Sequence, residues 1–171
     1  QAYAKNGYLF KSCASKSFGS QLNYTLYDQE GNFGRRAYDG RQESARVNLL
    51  YGSKLGVPQH KILTGVSYQY DSFDEQLDSL EFTRVESVPG AFAEYTWMQE
   101  DRFTLVAGMR GDYHNLFGWF WSPRVHARYS LTESTTIKVA SGKGYRTSNV
   151  LMEHAGILAS NRRISLNGIV S

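Results

Sequence analysis

The chain has little of what small folds use as staples and nothing of what a membrane helix needs. Among its 171 residues there is one cysteine, Cys13, so a disulfide within the chain and a cysteine-based metal site are both excluded. A lone thiol of this kind reads as an incidental small residue in a turn. Proline occurs 3 times, and leucine-rich helical stretches are missing. No run approaches the roughly 18 apolar residues of a helical span, while a β-spanning chain stays open because alternation halves its apolar content. Charge of one sign is also lacking: 19 Lys and Arg stand against 16 Asp and Glu, interspersed along the chain, which is no nucleic-acid footprint. The chain begins at Gln1 without a methionine or signal segment and stops at Ser171 in a polar stretch. It reads as a processed product or a fragment, with one domain or a piece of one.

What is present is aromatic and alternating. Tyrosine at 12 and phenylalanine at 9 lean towards β structure. Apolar residues recur at every second position: Phe18, Leu22, Tyr24 and Leu26; Ala45, Val47, Leu49 and Tyr51; Ile62, Thr64, Val66, Tyr68 and Tyr70; Ala91, Ala93, Tyr95 and Trp97; Phe103, Leu105, Ala107 and Met109; Trp121, Pro123, Val125, Ala127 and Tyr129; Ile137, Val139 and Ser141. This predicts seven strands, with a weaker eighth in the opening "AYAKNGYLF". Tight polar turns are expected at 13–17, 53–59, 98–101 and 131–135, and longer loops at 28–43, 71–86 and beyond Arg146, with only 114–118 short on that side. Alternating short and long connections describe an antiparallel up-and-down meander. Residues 148–163 read as irregular rather than helical.

Charge placement separates a membrane barrel from a soluble sandwich, since both alternate. The apolar faces carry no charged residue, whereas the opposite faces carry Arg46, Glu94, Arg110, Asp112, Arg124, His126, Arg128 and Lys138. Small residues and hydroxyls share the apolar face with Tyr and Trp near strand ends, as in the aromatic girdles of an outer-membrane barrel. Tyr51, Trp97 and Tyr129 each precede a tight turn and mark one interface. So many charges on the other face require a wide, wet or plugged interior.

At this point "VPGAFAEYTWMQED", "TLVAGMRGDYH", "SPRVHARYSLTESTTIK", "SGKGYRTSN" and "YDGRQES" together resemble the β-barrel region of TonB-dependent outer-membrane receptors, most closely those of Bacteroidetes. The resemblance covers nearly the whole chain. It implies a segment of an all-β transmembrane barrel of about 22 strands in the bacterial outer membrane, occupying 1–171 here without the plug domain. It implies uptake of a scarce large ligand of the iron chelate, cobalamin or glycan class. The implied partners are outer-membrane lipid, the protein's own plug and the TonB energy-transducing protein. A passive porin-like or structural barrel is the alternative, and a soluble β-sandwich binding module a further one.

"SGKGYRTS" (141–148) lacks the earlier glycine and the hydroxyl directly after the lysine that a phosphate loop needs. It reads instead as the outer end of a strand, with Lys143 on the lipid side at the headgroups and Arg146 turned to the lumen or the plug. His114, His126, His154 and Asp112, and likewise Met98, Met109 and Met152, match no ligand spacing for a metal or haem. No catalytic order or cofactor fingerprint stands out, so no enzyme and no cofactor is expected. Inward Arg46, Glu94, Arg110, Asp112, Arg124, His126, Arg128, Lys138 and Arg146 are the expected contacts to ligand or plug, with cross-strand charge ladders as the plainer role. Acidic Asp71, Asp74, Glu75, Asp78 and Glu81 read as a solvated surface loop.

Overall fold

A computed structural model describes residues 1–10, 15–33, 36–77, 80–100 and 102–147. Cys13, Asp78, Met152, His154 and the segment 148–163 lie outside the described residues. The described chain forms a single antiparallel sheet in which each strand pairs with the next in sequence. The strands are β1 (Ala2–Leu9), β2 (Lys16–Phe33), β3 (Arg36–Lys54), β4 (His60–Leu77), β5 (Leu80–Gln99), β6 (Phe103–His114), β7 (Gly118–Ser130) and β8 (Thr136–Gly142). All eight expected strands are present. β1 and β8 are the two edges, so the sheet is an open piece of an up-and-down barrel.

The expected long loops are corrected by this structure. Residues 28–33 and 36–43 continue β2 and β3, and 71–77 and 80–86 continue β4 and β5, paired residue for residue as in Asp28↔Arg41 and Asp71↔Glu86. The reason is physical. Where a strand passes beyond the bilayer its outer face no longer meets lipid, the apolar alternation stops, and a polar strand looks like a loop. The difference between the two ends of the meander is therefore one of strand height: β2 to β5 rise far above the short β6–β7 hairpin, which turns at residues 115–117.

The sheet is inside out relative to a soluble protein. Leu22, Val66, Met109, Trp121 and Val139 are exposed on the apolar face, while among the described residues the buried polar side chains are Ser67, Asp71, Glu75, Glu86, Asp112 and His114, and Tyr38 is the one buried hydrophobic. Burial of polar groups with exposure of apolar ones is costly in water and favourable in lipid. The soluble sandwich is thereby set aside. The sheet bends around its polar face, where hollows of about 550 Å³ and 580 Å³ open.

Two aromatic belts bound the apolar face. At the tight-turn end Trp97 packs edge-on against Phe103 with centroids 5.6 Å apart, and Phe103 meets Tyr129 at 6.5 Å. At the other end Trp119 stacks on Trp121 at 5.9 Å and meets Tyr113 at 5.3 Å. The eight steps from Trp121 to Tyr129 cover about 27 Å along a strand, which matches an apolar band of about 25 Å after modest tilt.

Candidate functional site: the concave polar face

Period-two alternation puts the expected site residues on one face, and the register sets them in rows. Arg124 lies level with Gly108 of β6 and, beyond it, Glu94 of β5. Because Gly108 has no side chain, the guanidinium crosses β6 and pairs with Glu94. Arg110 does not form the expected cross-strand ladder. It grips Asp112 two residues along the same strand, through Nε and Nη2 at 2.7 Å each, and Nη2 also donates to Ser67 at 2.8 Å. Gly90, directly opposite Asp112, makes room for this, since a Cβ there would stand 2.0 Å from Asp112 Oδ1. The buried carboxylate is held by a bidentate, charge-assisted pair.

These two ion pairs differ in weight. Asp112 is 6% exposed, so Arg110→Ala strands a buried charge and is expected to cost about 1–3 kcal/mol or more. The Arg124 side chain in the second pair is 52% exposed, and Arg124→Ala should cost within about 1 kcal/mol because solvent screens the pair. The thermal midpoint of the two full-length variants in detergent, followed by heat-dependent gel mobility, checks the contrast. Equal midpoints would refute it.

The remaining expected residues occupy distinct levels. Arg46 donates from Nη2 to Gln69 at 2.7 Å. Arg146 borders the larger hollow with Asp112 and Phe120. Arg128 and Lys138 sit directly opposite each other across β7 and β8, with His126 one step along the same face, and no acid among the described residues pairs with them. Like charges so placed repel, which leaves this end of the face strongly cationic. Lys143 departs from expectation: the strand ends at Gly142, and Lys143 lines a third hollow on the polar face with Gln21, Arg110 and Arg124.

A second cluster escaped the sequence reading. Glu86, at 4% exposure, and His114, at 3%, are buried on the polar face, with Glu86 Oε2 3.3 Å from His114 Nε2 and Oε1 3.0 Å from Arg84 Nε. The Arg84–Glu86 contact is an ion pair, and neither contact is aligned as a hydrogen bond. His114 Nδ1 accepts the Leu116 amide at 3.1 Å, which turns the other ring nitrogen towards Glu86. Arg84 also covers the Phe73 ring at 4.6 Å, a cation–π contact. Asp71 accepts from Ser44 at 2.5 Å and from Gln69 at 2.6 Å. Higher still, beyond the bilayer, Tyr38 donates to Glu75 at 2.9 Å. Burial first, and then this bond, hold its phenol above the ordinary range. Asp71 and Glu75 are therefore wall residues and not loop residues. Carrying the parity of Ser67 and Gln69 two and four residues onward would have found Asp71 and Phe73.

His114, His126 and Asp112 do not converge, and among the described residues no group of His, Cys, Asp and Glu could hold a metal ion. The face offers paired charges, amides and flat aromatics around open hollows.

Comparison with known proteins agrees with this geometry. The family described as TonB dependent receptor-like, beta-barrel, matches residues 2–161. The iron-regulated outer membrane virulence protein of two strains of Vibrio cholerae serotype O1 is 26% identical over 133 residues, 75% of this chain and 19% of the relative. The chain thus spans about a fifth of the length of the curated relatives it matches. The crystal structure of the siderophore receptor PirA from Pseudomonas aeruginosa shares the fold with a TM-score of 0.54 at 16% identity, over 79% of this chain and 30% of that one. An apolar face turned outward between aromatic belts, a charged concave face and a family match along almost the whole chain lead to one assignment: the chain belongs to the TonB-dependent receptor β-barrel family, a family of transport receptors, and lies in the bacterial outer membrane.

Proposed function

We propose that the protein containing this barrel segment takes up an iron chelate through a plugged lumen, using energy delivered by TonB. The observation that carries the reading is the polar concave face with its open hollows, whose polar groups lie in two levels. Arg46, Glu86, Asp112 and Arg146 frame the upper hollow and form the ligand-facing level. His126, Arg128 and Lys138, close to the tight turns, form a cationic level that meets the plug, with Glu94 and Arg124 between the two. The iron-regulated relative and the siderophore receptor that shares the fold favour an iron chelate over cobalamin or a glycan.

Deleting the gene and measuring uptake of labelled ferric chelates, cobalamin and oligosaccharides separates these classes. Loss of ferric chelate uptake alone is the expected outcome. Loss confined to another ligand replaces the ligand class. Uptake that persists after the proton-motive force is collapsed refutes energised transport and supports passive diffusion through a porin-like barrel.

A further inference from the structure

Residues 143–147 leave the sheet at a point the ladder itself determines. β8 pairs with β7 from Ser130↔Thr136 to Arg124↔Gly142, and the Lys143 amide then donates to the Pro123 carbonyl at 3.0 Å. In an antiparallel hydrogen-bonded pair the return bond would run from the amide of residue 123 to the Lys143 carbonyl. Proline has no amide proton to give. The ladder therefore loses half of its bonding at the place where it stops.

Past that point the edge of β7 that faces β8 has no strand partner among the described residues from Gly118 to Pro123. The chain turns instead onto the concave face. The Tyr145 ring stacks on Phe120 at 4.1 Å and 29°, its hydroxyl donates to Asp112 Oδ2 at 3.3 Å, and Thr147 reaches hollows bordered by Arg46 and Glu86.

The same register, continued, provides a second seat. Counting on from Arg124↔Gly142, Gly144 would oppose Ser122 and Tyr145 would oppose Trp121. Side chains alternate across a strand, so Tyr145 would then leave the lumen and join Trp121 in the outer aromatic belt. Inward, the segment keeps a ring stack and a phenol–carboxylate bond. Outward, it gains ladder bonds along an open strand edge and an aromatic contact at the interface.

We propose that residues 143–147 are a two-position strap, which covers the Asp112–Phe120 side of the upper hollow when inward and uncovers it by zipping onto β7 when outward. The gating consequence rests on the ligand-path reading of that hollow; the two seats do not.

The test uses the full-length receptor in outer-membrane vesicles. The pair Ser122→Cys with Gly144→Cys would be a non-hydrogen-bonded cross-strand pair, with Cα atoms about 4.5 Å apart, within disulfide range; it captures the outward seat. A benzophenone side chain introduced at Tyr145 reports the inward seat through adducts on Asp112 or Ser67. The expected result is a Ser122–Gly144 disulfide that forms severalfold more slowly than a control pair His126→Cys with Ala140→Cys, and inward adducts that fall to background once it has closed. Failure of the pair to close while the control closes removes the outward seat and overturns the proposal. Closure at the control rate without any Asp112 or Ser67 adduct removes the inward seat and overturns it equally. Both readouts need no transported ligand, so they stand apart from an error in the ligand assignment.

Discussion

Replacing Val66 with arginine in the full-length receptor is expected to block stable insertion, whereas Asn48→Arg on the neighbouring strand is tolerated. Val66 lies on the apolar face at 53% exposure, four residues below Tyr70 and six above the start of β4. Asn48 pairs with Ser67, the residue after Val66, and so lies at nearly the same depth on the opposite face. A lipid-facing arginine near the midplane costs about 2–4 kcal/mol. At about 1.4 kcal/mol per decade this is a roughly 30- to 700-fold shift away from the inserted state. On the polar face the guanidinium remains in water and meets no penalty beyond the usual half kcal/mol or so of a surface change. The fraction of receptor showing heat-dependent gel mobility after insertion into lipid vesicles reads the difference. Equal fractions for the two variants would mean that the apolar face does not meet lipid.

The second large effect is expected at Gly65. A Cβ there would stand 2.5 Å from the backbone carbonyl oxygen of Leu49 and 2.6 Å from the Phe92 ring. The ring can rotate away. The carbonyl cannot, because β3 and β4 are laddered residue for residue on both sides of it. Gly65→Ala is therefore expected to cost about 3 kcal/mol, the upper part of the range for overpacking, and Phe92→Leu should not restore it. Gly7 lies on the same row, through Gly19 and Leu50, but has nothing within 4 Å of a Cβ, so Gly7→Ala should stay within about half a kcal/mol. The denaturant midpoint of each full-length variant in detergent measures this. A Gly65→Ala midpoint equal to that of Gly7→Ala would show that the strands can part without cost.

The strands inside the bilayer were legible because lipid imposes a rule that sequence displays directly: each alternate residue must be apolar, and Trp and Tyr gather where the rule ends. Expectation and structure agree there from Phe18 to Leu26 and from Trp121 to Tyr129. Above the bilayer that rule lapses, and Tyr38, Asp71 and Glu75 were read as loop although they stand in paired strands. Among the candidate residues, the face was legible and the partners were not. Arg124 and Glu94 are 30 residues apart and meet only because Gly108 lies between them. Glu86 and His114 are brought together by the height to which β5 rises beside β6, which no spacing in the sequence reveals.

By itself, the sequence determined the architecture class, the membrane-facing side and the set of charges turned inward, since all three follow from period-two alternation, a property each strand carries alone. The tertiary structure decided which charges neutralise one another, how far the walls extend beyond the membrane, and where β8 ends. Those depend on register, on glycine gaps between neighbouring strands and on the missing amide proton of Pro123 opposite Lys143, and each is a relation between strands.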